Sequence, residues 1–373
     1  MKWVFWAAAA LMVYTYAGYV AWLWLRAILW PWPVRRAQQE PYVSVVMVVR
    51  NEERWLESKL RNLLELDYPP ERCQIVVVSD GSVDRTEAIL REHADNPRVR
   101  VILNQLPSGK ASGLNDAMAW TAGEVVIFTD ARQKIEPDAI RRLVENFADP
   151  EVGAVSGELM LGDSNSGETA QGMGLYWRIE KTIRQLESAS GSVVGATGAL
   201  YAVRRELVVP LPPQTILDDV YLPMNVVRQG ARVLFEPRAR AWDMASLGAE
   251  REFKRKVRTL TGNYQLLQVA PWILSGANPI RFEFVSHKLL RLLAPFALLA
   301  MLVTAAVLTG PLYRILLTLQ LAFYGLAGLG MLRLQRGVLS RMADAALTFV
   351  VLNVAAAVAF TNFVTGREAA WNW

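Results

Sequence analysis

Cysteine is nearly absent from this chain of 373 residues: Cys73 stands alone. That excludes an intrachain disulfide framework and any multi-cysteine metal site. Histidine is almost as scarce, with only His93 and His287. Neither sits in a motif or beside a partner histidine, so both are expected at a surface or interface. No Walker A loop is present either. The lysine-bearing segment 107–116 lacks the Gly-x4-Gly-Lys-Ser/Thr spacing, which removes the main support for an ATPase. Zinc-finger spacing and aromatic-basic RNA motifs are also missing, so a net charge of +5 does not imply a nucleic-acid partner. Many of the basic residues instead flank long apolar runs.

What is abundant is apolar residues, at 53%, against 20% charged. The charges are concentrated in the middle, which predicts a folded body between membrane-spanning ends. Residues 3–30 carry one arginine and no acid, with Trp at both ends and a Pro31-Trp32-Pro33 stop. This run exceeds an ordinary signal-peptide core and can cross a bilayer. Further spans are expected at 289–308, 312–332 and 345–364. Arg35 and Arg36, the stretch from Lys254 to Arg291, and Arg333, Arg336 and Arg341 then share one side. By the positive-inside rule that side is cytoplasmic, in the cytoplasmic (inner) membrane. The expected plan is a membrane helix at 1–33, an α/β catalytic domain at 42–245, amphipathic interfacial helices at 246–288 and three membrane helices at 289–373.

The central segment alternates β-rich apolar runs, at 43–49, 74–79, 98–103 and 125–129, with helical stretches such as 52–66 and 84–93. This rhythm predicts a Rossmann-like, largely parallel sheet with helices on both faces. Ligands of such sheets bind outside the carboxyl ends of the strands, and polar signatures fall there. The first run leads into Asn51-Glu52-Glu53, the second into Asp80-Gly81-Ser82-Val83-Asp84, and the fourth into Asp130-Ala131-Arg132. Lys110 opens a helix from a small-residue loop, where an ammonium and a helix N-terminus together favour phosphate. Asp218-Asp219 pairs two carboxylates whose mutual repulsion can raise one pKa toward that of a proton acceptor. Taken singly, each is also an ordinary turn or helix cap. Residues 163–168, rich in Gly and Ser, read as a mobile loop.

Taken in order, Asn51-Glu52-Glu53, Ser79-Asp80-Gly81-Ser82-x-Asp84-x-Thr86, Gly109-Lys110-Ala111-x-x-Leu114-Asn115, Asp130, Gly195-Ala196-Thr197-Gly198-Ala199-Leu200-Tyr201 and Asp218-Asp219 resemble the family 2 glycosyltransferases with the GT-A fold. The likeness covers about residues 42–265. Its flanking spans are similar to those of the cellulose, hyaluronan and poly-N-acetylglucosamine synthases and the ceramide glucosyltransferases. The resemblance implies a UDP-sugar donor, with Glu52 and Asp80 on the uridine and Asp84 in the same donor-side motif. It places Lys110 near uracil or phosphate, Asp130 beside the sugar diphosphate, and Asp219 as the general base of an inverting transfer. Gly195, Ala196, Thr197 and Gly198 would form the acceptor wall.

Two departures stand out. Relatives usually carry Asp-x-Asp after the fourth strand, the second acid binding Mg²⁺ or Mn²⁺, whereas Arg132 stands there and cannot coordinate a cation. Either Asp130 holds the metal with another group such as Asp243, the preferred reading, or Arg132 itself neutralises the departing diphosphate. The processive synthases end their site in Gln-x-x-Arg-Trp, and the nearest equivalent here runs from Arg255 through Arg258 to Thr259. Arg255 and Arg258 suit phosphates, or a basic helix on anionic lipid. Without the Trp platform, the expected acceptor is lipid-linked or a short cell-envelope saccharide at the bilayer. The alternatives are an inactive nucleotide-binding scaffold and a processive synthase with coupled translocation.

Overall fold

The computed structural model describes residues 1–163, 168–169, 175–243, 249–332 and 337–366. Most of the expected loop at 163–168, and the basic residues Arg333 and Arg336, fall outside them. The strands are β1 (Val43–Val49), β2 (Cys73–Asp80), β3 (Val99–Asn104), β4 (Val125–Phe128), β5 (Lys134–Ile135), β6 (Val152–Asp163), β7 (Glu168–Thr169), β8 (Tyr201–Arg204) and β9 (Arg232–Asp243). They form one sheet in the order β3-β2-β1-β4-β8-β6-β9-β5, with β7 paired to β6.

The first four strands are parallel, as their apolar runs predict: β1 is buried along its whole length, as parallel strands covered on both faces are. Beyond β4 the sheet is mixed rather than largely parallel. β8 lies antiparallel to both β4 and β6, β6 and β9 run parallel to each other, and β5 closes the edge antiparallel to β9. This half escapes a sequence reading because β6 and β9 carry Glu158, Arg232, Glu236, Arg238 and Arg240, which break the apolar run.

The helices are α1 (Lys2–Val13), α2 (Tyr19–Leu29), α3 (Glu53–Leu64), α4 (Thr86–Glu92), α5 (Lys110–Met118), α6 (Ala139–Val144), α7 (Leu175–Ser190), α8 (Asp218–Arg228), α9 (Ala249–Val269), α10 (Arg281–Phe284), α11 (Leu290–Val307), α12 (Pro311–Met331) and α13 (Val338–Val364). Side chains alternate across each strand. Val43, Val45, Met47 and Val49 therefore pack on Leu56, Leu60 and Leu63 of α3, and Ile140 and Leu143 of α6 complete that face. Val46 and Val48 face Ala111, Leu114 and Ala117 of α5 on the other side, where α8 adds Val220 and Leu222. Each such buried Leu or Val is worth about 2 kcal/mol, so both layers hold the strand ends rigid beneath the motif residues.

Among the described residues, four helical segments are long and apolar enough to cross a membrane: Lys2–Leu29, Arg281–Val307, Pro311–Met331 and Val338–Val364. The second begins at Arg281 rather than 289, because α10 continues into α11 through a π-turn at Val285–Leu289. The polar Glu283, Ser286 and His287 that interrupt the hydropathy are buried against protein. The fourth likewise begins earlier than 345.

α9 reaches back from these apolar helices to the α/β domain. Tyr264 stacks on Phe363 of α13 with ring centroids 5.2 Å apart. Gln265 accepts from Ile216 N at 2.9 Å and donates to Gln214 O at 2.9 Å. Gly262 makes this closeness possible, since a Cβ there would sit 2.6 Å from Leu217 Cγ. The loop that leads into Asp218 and Asp219 at the start of α8 is thereby fastened to the apolar helices.

Candidate active site

Lys110, the first residue of α5, is the centre of the site. Its ammonium lies 2.9 Å from Asp130 Oδ1 and 3.1 Å from Asp218 Oδ1, so residues from β4's end and from α8 meet at one cation. Burial alone would lower its pKa, but the Asp130 and Asp218 carboxylates outweigh that and hold it well above the usual lysine range. Tyr201 of β8 donates to Asp218 Oδ2 at 3.2 Å and stacks on Phe128, centroids 4.7 Å apart. Asp218 is thus consumed by Lys110 and Tyr201.

Asp219 is differently placed. Its Oδ2 accepts from Gly198 N at 3.0 Å, and its backbone carbonyl accepts from Ala196 N at 2.6 Å. Burial, followed by the neighbouring Asp218 charge, pushes its carboxyl up to about 6. The general base that the sequence resemblance implies at Asp219 must be unprotonated to act, so in that role turnover is expected to hold above pH ~6 and to fall about tenfold per unit below it. A pH profile of kcat checks this, and a flat profile between pH 5 and 7 would remove Asp219 from the rate-limiting proton transfer.

The sequence wall at Gly195, Ala196, Thr197 and Gly198 is clamped on both sides. Thr197 N donates to Ser156 Oγ at 3.1 Å, and Arg184 donates to Ala196 O at 3.2 Å. A Cβ on Gly198 would lie 3.4 Å from Asp130 Oδ2, 3.5 Å from Asp219 Oδ2 and 3.8 Å from Lys110 Nζ. The missing side chain leaves a cradle into which two carboxylates and an ammonium point together. Glu52 joins the same electrostatic group. Burial raises its pKa, opposed by Arg132, while Asp130 and Asp84 reinforce the rise. Arg258 of α9 is also drawn in. Burial lowers its pKa against the opposing pull of Asp130, Asp218 and Asp219.

Four sequence expectations look different once placed. Asp80 is fully buried, and its oxygens accept from Ser108 N at 2.7 Å, Ser108 Oγ at 3.2 Å and Gly109 N at 2.9 Å. The loop that delivers Lys110 occupies it, so it is not open to a base. Asp84 similarly spends its oxygens on Thr86 N and Glu53 N, at 2.9 and 3.2 Å, joining the starts of α4 and α3. Arg255 turns away from the acid cluster to Glu252 at 2.7 Å and Asp243 at 3.6 Å, while Gln133 donates to Asp243 at 3.1 Å. Asp243 is therefore engaged elsewhere.

Sequence reasoning missed Lys59. This buried residue of α3 donates to Thr129 Oγ1 at 2.9 Å and Gln133 O at 2.7 Å, bracing the turn that presents Asp130 and Arg132. Burial pushes its ammonium down to about 7. The available signal was its place within the apolar stripe Leu56, Leu60, Leu63. His287, expected at an interface, is 1% exposed and lies between two carboxylates.

Residues 44–209 match the family described as Glycosyl transferase family 2. That segment is thus similar to a family 2 glycosyltransferase domain. Among curated relatives, the chain is 28% identical over 192 residues to a beta-monoglucosyldiacylglycerol synthase of Synechocystis sp., covering 50% of this chain and 40% of that one. It is 25% identical over 229 residues to a poly-beta-1,6-N-acetyl-D-glucosamine synthase of Staphylococcus aureus, covering 60% and 55%. The chain thus aligns with about half the length of these relatives. Its fold matches that of a Pyrobaculum calidifontis mannosyltransferase solved with GDP-Man and Mn²⁺, at a TM-score of 0.76 and 23% identity over 98% of this chain and 100% of that one.

Proposed function

We infer that this glycosyltransferase moves a sugar from a nucleoside diphosphate donor, a UDP-sugar, to a hydroxyl of a lipid acceptor, with inversion at the anomeric carbon. The observation that carries the reading is Asp219. It is a half-buried carboxylate of raised pKa at the rim of the Gly198 cradle, held by the wall's own amide and free of the Lys110 ion pair that occupies Asp218. An acceptor hydroxyl in the cradle meets Asp219 as its general base, and the freed oxygen attacks the sugar carbon in line with the departing diphosphate. Lys110, Arg132 and Arg258 supply fixed positive charge where negative charge develops on that diphosphate. Asp80 acts through the loop it holds, and Glu52 faces the donor side.

A divalent cation fits this set in one way. Among the described residues no three His, Cys, Asp or Glu side chains group to hold a metal unaided. Asp130, however, gives only Oδ1 to Lys110, turns Oδ2 toward the cradle, and its side chain is 40% exposed. One carboxylate completed by phosphate oxygens is an ordinary Mg²⁺ arrangement. When bound, Mg²⁺ or Mn²⁺ would help to neutralise the diphosphate.

The lipid acceptor is supported by the tie between α9, the loop that leads into Asp218 and Asp219, and α13, which keeps the base beside the membrane layer. The Synechocystis relative's name, a diacylglycerol glycolipid synthase, agrees. The basic flanks Arg35, Arg36 and Lys254 to Arg291 support a cytoplasmic face for the catalytic domain by the positive-inside rule. The test incubates the purified full chain with vesicles containing diacylglycerol and a panel of labelled UDP-glucose, UDP-N-acetylglucosamine and GDP-mannose, with and without EDTA. Expected is an EDTA-sensitive glycolipid from a UDP-sugar, identified by product mass. Binding of every donor without transfer or hydrolysis would overturn the enzymatic reading.

A further inference from the structure

Behind the acceptor wall lies a buried charge cluster that the transfer chemistry does not use. Its hub is Glu187 of α7, which is 0% exposed. One oxygen, Oε1, accepts from the Tyr19 hydroxyl of the first membrane span at 2.7 Å and lies 2.8 Å from His287 Nδ1 of the second span. The other, Oε2, accepts from Val194 N at 3.4 Å, at the start of the wall. Two turns earlier on the same helix, Glu180 faces His287 Nε2 at 2.9 Å and pairs with Arg291 at 2.7 Å. Between them Arg184 grips Ala196 O.

A carboxylate removed from water is costly unless every lone pair is met by a well-aimed donor. Here the donors come from three separate parts of the chain, two membrane spans and the wall, so the carboxylate is satisfied only when all three are in register. Apolar packing agrees: Tyr19 and Leu23 of the first span are buried against Ile183 of α7. A second tie runs alongside, where Arg26 of the first span bonds Ser190 Oγ at 2.8 Å and pairs with Glu283 of the second.

We propose that Glu187 is a positioning residue that fastens the acceptor wall, residues 194–198, to the first two membrane spans, fixing the wall's height at the bilayer where a lipid acceptor enters. Glu187 touches neither donor nor Asp219. It acts through Val194 and the wall, and so governs acceptor engagement rather than nucleotide binding. This rests on the reading that residues 195–198 receive the acceptor.

Hydrogen exchange on the full chain in lipid nanodiscs, with UDP as the donor-side probe, tests it. In Glu187→Ala, the amides of residues 194–198 are expected to exchange about tenfold faster, with the Ser108 and Gly109 amides unchanged. UDP affinity is expected to stay within about twofold, while the apparent KM for diacylglycerol in vesicles rises about fivefold or more at near-constant kcat. Glu187→Gln, which keeps one carbonyl oxygen and so can still accept from either Tyr19 or Val194 but not from both, should restore part of the loss. Tyr19→Phe removes one hydroxyl and leaves Glu187 in place. It should move the same amides in the same direction by less, and it serves if the Glu187 variants do not fold. Unchanged wall amides in a folded variant, or faster exchange spread equally over the domain, would overturn the proposal. If no donor yields glycolipid, the lipid-acceptor reading fails separately, and the exchange pattern still decides whether Glu187 holds the wall.

Discussion

Asp219→Asn is expected to lower kcat about 10³-fold while leaving UDP affinity within about twofold. The substitution is nearly isosteric, and an asparagine oxygen can still accept from Gly198 N, so the wall and the cradle keep their shape. What disappears is the capacity to take a proton. Because the lost interaction belongs to the transition state, kcat and kcat/KM should fall together. Asp218→Asn makes the contrast: Asp218 is bound to Lys110 and Tyr201, so its loss should weaken the donor side as well. Undiminished turnover by Asp219→Asn in the vesicle assay would remove Asp219 as the base.

Lys110→Met should act more broadly. The methionine occupies similar volume but leaves Asp130, Asp218 and Asp219 facing one another without the cation that now sits among them. Breaking the largely buried Lys110–Asp218 pair is expected to cost about 3 kcal/mol of stability, readable as a lowered denaturation midpoint. The uncompensated carboxylates would also repel a diphosphate. UDP binding by calorimetry should weaken about 10²-fold, equivalent to roughly 2.7 kcal/mol. Lys110→Arg should recover part of both losses, and unaltered UDP affinity in Lys110→Met would contradict a role at the donor.

The parallel half of the sheet and the first membrane span could be read directly because each is written as an uninterrupted apolar run. β1 is found at Val43–Val49, as expected, and the first span at Lys2–Leu29. The acid signatures were legible by order: Asp130, Asp218 and Asp219 do converge, around Lys110. What sequence could not give was how each carboxylate is used. Asp80, Asp130 and Asp219 look alike in the sequence, yet loop amides consume the first, Lys110 takes one oxygen of the second, and the third, half-buried, has its carboxyl pushed up to about 6. Those differences depend on backbone amides and on partners many residues away. His287 was misread for the same reason. A lone histidine at the edge of an apolar run looks interfacial until the acids of α7, about a hundred positions earlier, are brought against it.

The solitary thiol has a practical consequence. Cys73 is 2% exposed beneath α3, and burial pushes its pKa up, so it is a poor nucleophile toward alkylating reagents. A cysteine introduced at any exposed position would therefore be the sole reactive thiol without prior removal of the native one. Spin or fluorescent labels placed in pairs, one on α12 and one near the cradle, could then report how far the catalytic body stands from the bilayer.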